Sequence, residues 1–297
     1  YLALGMWDEV VAANEAAVRV AERERRARGG TGAPMGCGHG LTWLAYGYLQ
    51  QGRFAAARRL VQACGSEMRE RPMRASGADL LDADSTSAAA FSAMRSRYLI
   101  DSGDWSGPVA HHAVDTAGVV LAEFTRDFSD AYGATLAGQL ETARAALARL
   151  RDSSARLASA AAAVGLPAES PERRVPGIEL EELEGLLRLR AGDAVGGMAQ
   201  LAAAAAAEKA IPMEFGPPSL DKPANELLGE MLLERGRPAE ARTAFEAAQV
   251  LAPGRGQSLI GLARCAALLH APELARNVEA RLAKVHLREA LAGGASR

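Results

Sequence analysis

Cysteine is sparse in this chain. The three present, Cys37, Cys64 and Cys265, are an odd number with no CxxC pair among them. That pattern argues against a disulfide framework and favours a reducing, cytoplasmic setting. A surplus of either charge is also missing: 34 basic residues face 36 acidic ones, a formal net charge of -2. No general basic field is therefore available to hold nucleic acid. Long apolar runs are absent too. The longest plain one, Leu201 to Ala207, is stopped by Glu208 and Lys209, far short of the ~18–20 residues that a membrane-spanning helix needs. Catalytic signatures are likewise lacking, with no GxSxG, HExxH, P-loop or strand-linked GxGxxG. Asp79, Asp82 and Asp84 are spaced like part of a calcium loop, but the central glycine and closing glutamate of an EF-hand are missing. The reading leans away from an enzyme.

What the chain has in quantity is small apolar residues. Hydrophobic residues make up 49% of it while aromatics make up only 5%. Alanine-rich, aromatic-poor sequence suits helices that approach closely, because alanine favours the helix and leaves little bulk between backbones. The expected fold class is all-α. The clearest unit runs from Ala224 to Pro253, ANELLGEMLLERGRPAEARTAFEAAQVLAP. Leu227, Leu228, Met231 and Leu232 recur at helical spacing, a Gly236–Pro238 turn follows, and a second amphipathic stretch carries Ala241, Phe245 and Ala248. That period reads as helix-turn-helix.

The turn glycine recurs along the chain at Gly5, Gly52, Gly103, Gly138, Gly192 and Gly236, and His270 stands 34 residues after the last. The spacing lengthens to 47, 51, 54 and 44 residues where loop-like stretches intervene, as at 29–40, 165–177 and 211–223. Each turn is expected to be followed by an Ala-rich second helix. The residues Leu228, Gly229, Leu232, Ala241, Phe245, Ala248 and Pro253 resemble the tetratricopeptide repeat consensus. The likeness implies an α-solenoid of about seven units over residues 1–297. Its first two repeats lie in 1–66, the middle ones in 88–164 and the C-terminal ones in 177–290. LALGMWDEVVAANEAAV, then CGH with WLAYGYLQQGRFAAARRLV, then FGPPSLDKPANELLGEMLLERGRPAEA further resemble a group of bacterial tetratricopeptide proteins that carry a histidine-rich segment upstream. That segment is not in this sequence, which opens at Tyr1 in an apparent helix. An upstream stretch is expected to be missing, and an export signal could have been lost with it.

The resemblance also implies which side chains line the concave face. With each turn glycine as position fifteen, positions two, five, nine, twelve and thirteen of the first helix face inward. This places His39, Thr42, Tyr46, Leu49 and Gln50 there, with Arg97, Glu226, Glu230, Glu234 and Arg264 from other units and Glu179 and Glu182 near Gly192. Glu226, Glu230 and Glu234 are spaced by four, one acidic stripe in which like charges repel. The expected function is a binding scaffold whose concave face holds a peptide, a protein partner or a small ligand. End-to-end assembly is open to a solenoid without polar caps.

The alternative is a metal-binding protein or metal-dependent enzyme. Cys37 and His39, in MGCGHG, pair a thiolate with an imidazole, ligands that suit zinc or copper. A metal needs about three or four ligands, so the rest would come from the upstream segment or a distant repeat. His111 and His112 are adjacent and point apart on a helix. His270 fits a turn, His286 an exposed helix, and Cys64 and Cys265 ordinary buried thiols.

Overall fold

The computed structural model describes residues 1–30, 37–70, 81, 86–212 and 216–285. Asp79, Asp82, Asp84 and His286 lie outside them. Among the described residues there are twelve α-helices and no strand. They are α1 (Trp7–Ala27), α2 (His39–Gln50), α3 (Phe54–Glu70), α4 (Ser87–Ser102), α5 (Val120–Leu136), α6 (Leu140–Ala163), α7 (Pro171–Arg190), α8 (Ala194–Glu208), α9 (Ala224–Glu234), α10 (Pro238–Leu251), α11 (Gly256–Leu268) and α12 (Pro272–Lys284). Neighbours in sequence pack on one another, as in a helical repeat. The start of the chain, expected inside a helix, is a 3-10 turn, Leu2–Leu4.

All seven turn positions read from the sequence adopt the left-handed backbone conformation: Gly5 (φ 64°), Gly52 (67°), Gly103 (67°), Gly138 (70°), Gly192 (97°), Gly236 (67°) and His270 (49°). A residue there lets the chain reverse at a helix end, and glycine does so without the Cβ clash that L-residues suffer. His270 bears that clash. His270→Gly is expected to raise stability by about 1 kcal/mol, read as a shift in the denaturation midpoint. An unchanged or lowered midpoint would show that the histidine ring contributes more than its backbone costs.

One turn departs from expectation. No second helix follows Gly103: residues 103–119 are turns and irregular chain. Gly107, Pro108 and Gly118 interrupt any helical run there, and Ala117 is itself left-handed at φ 50°. His111 and His112 therefore stand on a turn segment, where His112 packs its ring 5.0 Å from that of Phe91.

Six helices, α2, α4, α5, α7, α9 and α11, touch each other in turn, and α11 returns to α2. The two ends of the chain consequently share one core. Leu2, Trp7, Val10 and Tyr46 are buried in the same cluster as Phe245, Leu259 and Leu262. Trp7 donates its indole N–H to the Gly254 carbonyl at 2.8 Å. Gly5 lies against Pro253 and Gly254, where a Cβ would strike the Pro253 carbonyl. The curved face expected to be open is thus closed over in part: Thr42, Tyr46, Gln50 and Glu226 face a filled interior, while His39, Glu234 and Arg264 stay exposed.

The cysteines also differ from expectation. Cys37 and Cys64 form a disulfide, with Cα atoms 5.1 Å apart, a separation that suits the bond. Cys64 is not an ordinary thiol, and the argument for a reducing compartment falls with it. The separation of 27 residues was uninformative in sequence, because the α2–α3 hairpin brings the two together. Cys265 stays a buried free thiol, pushed up to about 11 chiefly by that burial. Closing a loop of this size contributes about 3 kcal/mol. Denatured without reductant, the protein is expected to titrate one thiol of three and to lose roughly that stability on reduction; three reactive thiols would remove the bridge.

Candidate functional site

The filled interior is polar. Arg255, at the N-cap of α11, is 1% exposed and uses its guanidinium on both sides. Its Nε and Nη2 donate to Glu226 at 2.9 and 3.0 Å, Nη2 and Nη1 to Asp101 at 2.6 and 3.3 Å, and Nη1 to the Tyr46 hydroxyl at 3.2 Å. Gln50 ties the same group together, donating to Asp101 at 2.8 Å and accepting from the Gly256 N–H at 2.9 Å. Burial alone would push the Arg255 guanidinium down, but Asp101 and Glu226 outweigh it and hold it well above its usual range. For Glu226 burial pulls upward, and Arg255 and Lys222 overcome it, leaving the carboxyl at about 2.

Lys222 extends the network. Its ammonium bridges Glu226 at 2.8 Å and Glu230 at 2.6 Å. The stripe read as three repelling glutamates is therefore two carboxylates straddling a buried lysine, while Glu234 lies outside, paired with Arg190 at 3.0 Å. Beyond Lys222 the pairing runs short of cations. Asp221 donates its backbone N–H to Glu179 at 2.6 Å and pairs through Oδ1 with Arg97 at 3.4 Å. Arg97 also donates to the Pro218 carbonyl at 3.1 Å. Glu208 accepts from the Asn225 side chain at 2.6 Å and its N–H at 2.8 Å. Glu182 is wholly buried, and neither of its oxygens has a hydrogen-bond partner among the described residues. Burial, then the nearby Glu179 and Glu208, raises the Glu182 pKa well above the ordinary carboxyl value. Burial likewise raises Glu179, where Asp221 adds to it, and Asp221, where Arg97 opposes it.

Next to this end of the network lies a cavity of about 380 Å³, reached between α2, α4, α5, α6, α7 and the 216–221 segment. Trp43, Leu121, Phe124, Leu157, Val175 and Pro217 supply apolar walls. Arg97, Glu179 and Asp221 form its charged end, and Glu172 lines it two turns before Glu179 on the same face of α7.

Of the inward positions expected from sequence, Tyr46, Gln50, Arg97, Glu226 and Glu230 meet in the network, and Glu179 and Arg97 reach the cavity. Thr42 is buried, donating its hydroxyl to the His39 carbonyl at 2.8 Å. His39 is exposed, its ring 4.3 Å from that of Trp43. Arg264 is exposed on α11. The metal pair is not assembled: the Cys37 sulfur is committed to Cys64. No group of three or more potential ligands forms among the described residues. Sequence reasoning missed Asp101, Asp221, Lys222 and Arg255. Asp101 sits at position thirteen before Gly103, so the same register could have found it. The other three come from loops and a helix cap, where that register does not apply. No family model matches the chain, and neither a curated protein nor a solved structure does. No described helix is long and apolar enough to cross a membrane.

Proposed function

We propose that this chain is a tetratricopeptide-type repeat protein of about seven units that acts as a binding scaffold, with its ligand held in the inner cavity. The observation that carries the reading is the cavity itself. Its volume of about 380 Å³ lies within the ~300–1,000 Å³ of small-molecule sites, and apolar walls around a few converging polar groups are the usual makeup of such sites. The rest of the inner face is occupied by its own ion pairs, which favours a small ligand over an extended peptide. The left-handed residue at all seven turn positions supports the repeat assignment.

The test is uptake of a neutral fluorescent probe, N-phenyl-1-naphthylamine. The expected result is one saturable site, lost in Leu121→Trp, which narrows the cavity from the α5 wall while circular dichroism stays unchanged. Absence of saturable uptake by the unaltered chain, or uptake that the substitution leaves intact, would end the reading.

A further inference from the structure

Acidic groups outnumber cations along the cavity, and their burial makes them costly to ionise without a further cation. Among the described residues three carboxyl groups line the cavity, Glu179 and Asp221 at its inner end and Glu172 two turns away on α7, against one cation, Arg97. Arg97 is already committed, to Asp221 at 3.4 Å and to the Pro218 carbonyl at 3.1 Å. Asp221 is 7% exposed, and its Oδ2 has no hydrogen-bond partner among the described residues. Ser96 lies close enough to favour the ionised carboxylate but outside hydrogen-bond geometry. Glu179 is 3% exposed and receives the Asp221 N–H through Oε1. Carboxylates this deeply buried are costly without a cation beside them, and a ligand that brings a positive charge to this end lowers that cost. An anionic ligand would instead have to take Arg97 from Asp221 in the presence of further carboxylates.

Resting on the binding role proposed above, we propose that the cavity takes an organic cation. Its ligand is an apolar amine held as the ammonium, with its hydrocarbon part on Trp43, Phe124 and Leu157 and its N–H groups on Glu179 and Asp221.

The experiment compares decylammonium, decanol and decanoate on the full chain by calorimetry, each below its micellar concentration. They share one tail and differ in the head. The ammonium is expected to bind at least about tenfold tighter than the alcohol, the factor that a close charge pair readily supplies, and decanoate weakest. Glu179→Gln should remove most of that preference while decanol binding persists. Asp221→Asn, which releases Arg97, should turn the preference toward decanoate. Equal affinity for the three heads, or decanoate binding best to the unaltered chain, overturns the cationic assignment and leaves the binding role standing. Binding of none of them overturns both. Should either variant fail to fold, the order of the three heads on the unaltered chain and the remaining variant still decide.

Discussion

Arg255→Ala is expected to lower stability by about 3–5 kcal/mol, the range for removing one partner of a buried ion pair. For a chain of this size the melting temperature should fall by roughly 10 °C. The reason is the pair of carboxylates left behind. Asp101 and Glu226 are 4% and 0% exposed, and Arg255 supplies four of their contacts within 3.3 Å. Without it, Gln50 remains as a donor to Asp101 and Lys222 and Ser258 as donors to Glu226, but none of them cancels both charges. Replacing all three members by apolar residues of similar size, Arg255→Met with Asp101→Leu and Glu226→Leu, should recover most of the loss, because it removes the stranded charges as well as the pair. Chemical denaturation of the single and triple variants decides. An Arg255→Ala protein as stable as the parent would show that the network is not a structural centre.

Glu182 should give the opposite sign. Removing a buried carboxyl that has no hydrogen-bond partner among the described residues is expected to stabilise, and Glu182→Met, close in volume, should gain about 1–3 kcal/mol at pH 8. The gain must depend on pH. The folded pKa is raised above the ordinary 4.5 by burial and by neighbouring carboxylates. Below 4.5 the group is protonated in both states and costs least. As pH climbs, the unfolded chain loses the proton while the folded one keeps it, so stability is lost until the folded pKa is passed. Glu182→Met should therefore add little near pH 4 and more at every step upward. A gain that is flat from pH 4 to 8, or a loss, would contradict the burial account. Glu179, Glu208, Asp221 and Glu230 are raised by burial in the same direction. Glu226 works the other way, its contribution vanishing as pH falls from 4.5 toward 2. Together they place the stability maximum in mild acid.

How far this was legible in the sequence depended on the range of the cause. The turn residues were readable because a left-handed backbone is a local demand that glycine answers, and even His270 was placed by its interval alone. Inward positions on first helices were readable because helical period carries them, so Tyr46, Gln50, Arg97, Glu226 and Glu230 were found. What surrounds them was not. Arg255 meets Asp101 across 154 residues, a contact created by closure of the ring and by no local pattern. Lys222 was within reach, since it stands four residues before Glu226, but it belongs to a stretch read as loop. The Gly103 unit failed because a glycine turn was taken to guarantee a helix after it, whereas Gly107 and Pro108 dissolve that helix locally. The acidic stripe looked like a repelling surface because charge sign is visible in sequence and burial is not.

The meeting of Trp7 with Gly254 has a consequence for how the protein comes apart. Linear arrays of helical pairs lose their terminal units first, since each touches only its neighbours. Here α1 and the turn before it are fastened to the α10–α11 region, so fraying at one end exposes the core of the other. Amide exchange should then show protection in α1, α2, α10 and α11 collapsing at one denaturant concentration, an all-or-none event instead of a gradient along the chain. The same fastening raises the mean sequence distance between contacting residues, so folding should be slower than in an unclosed helical stack of equal length.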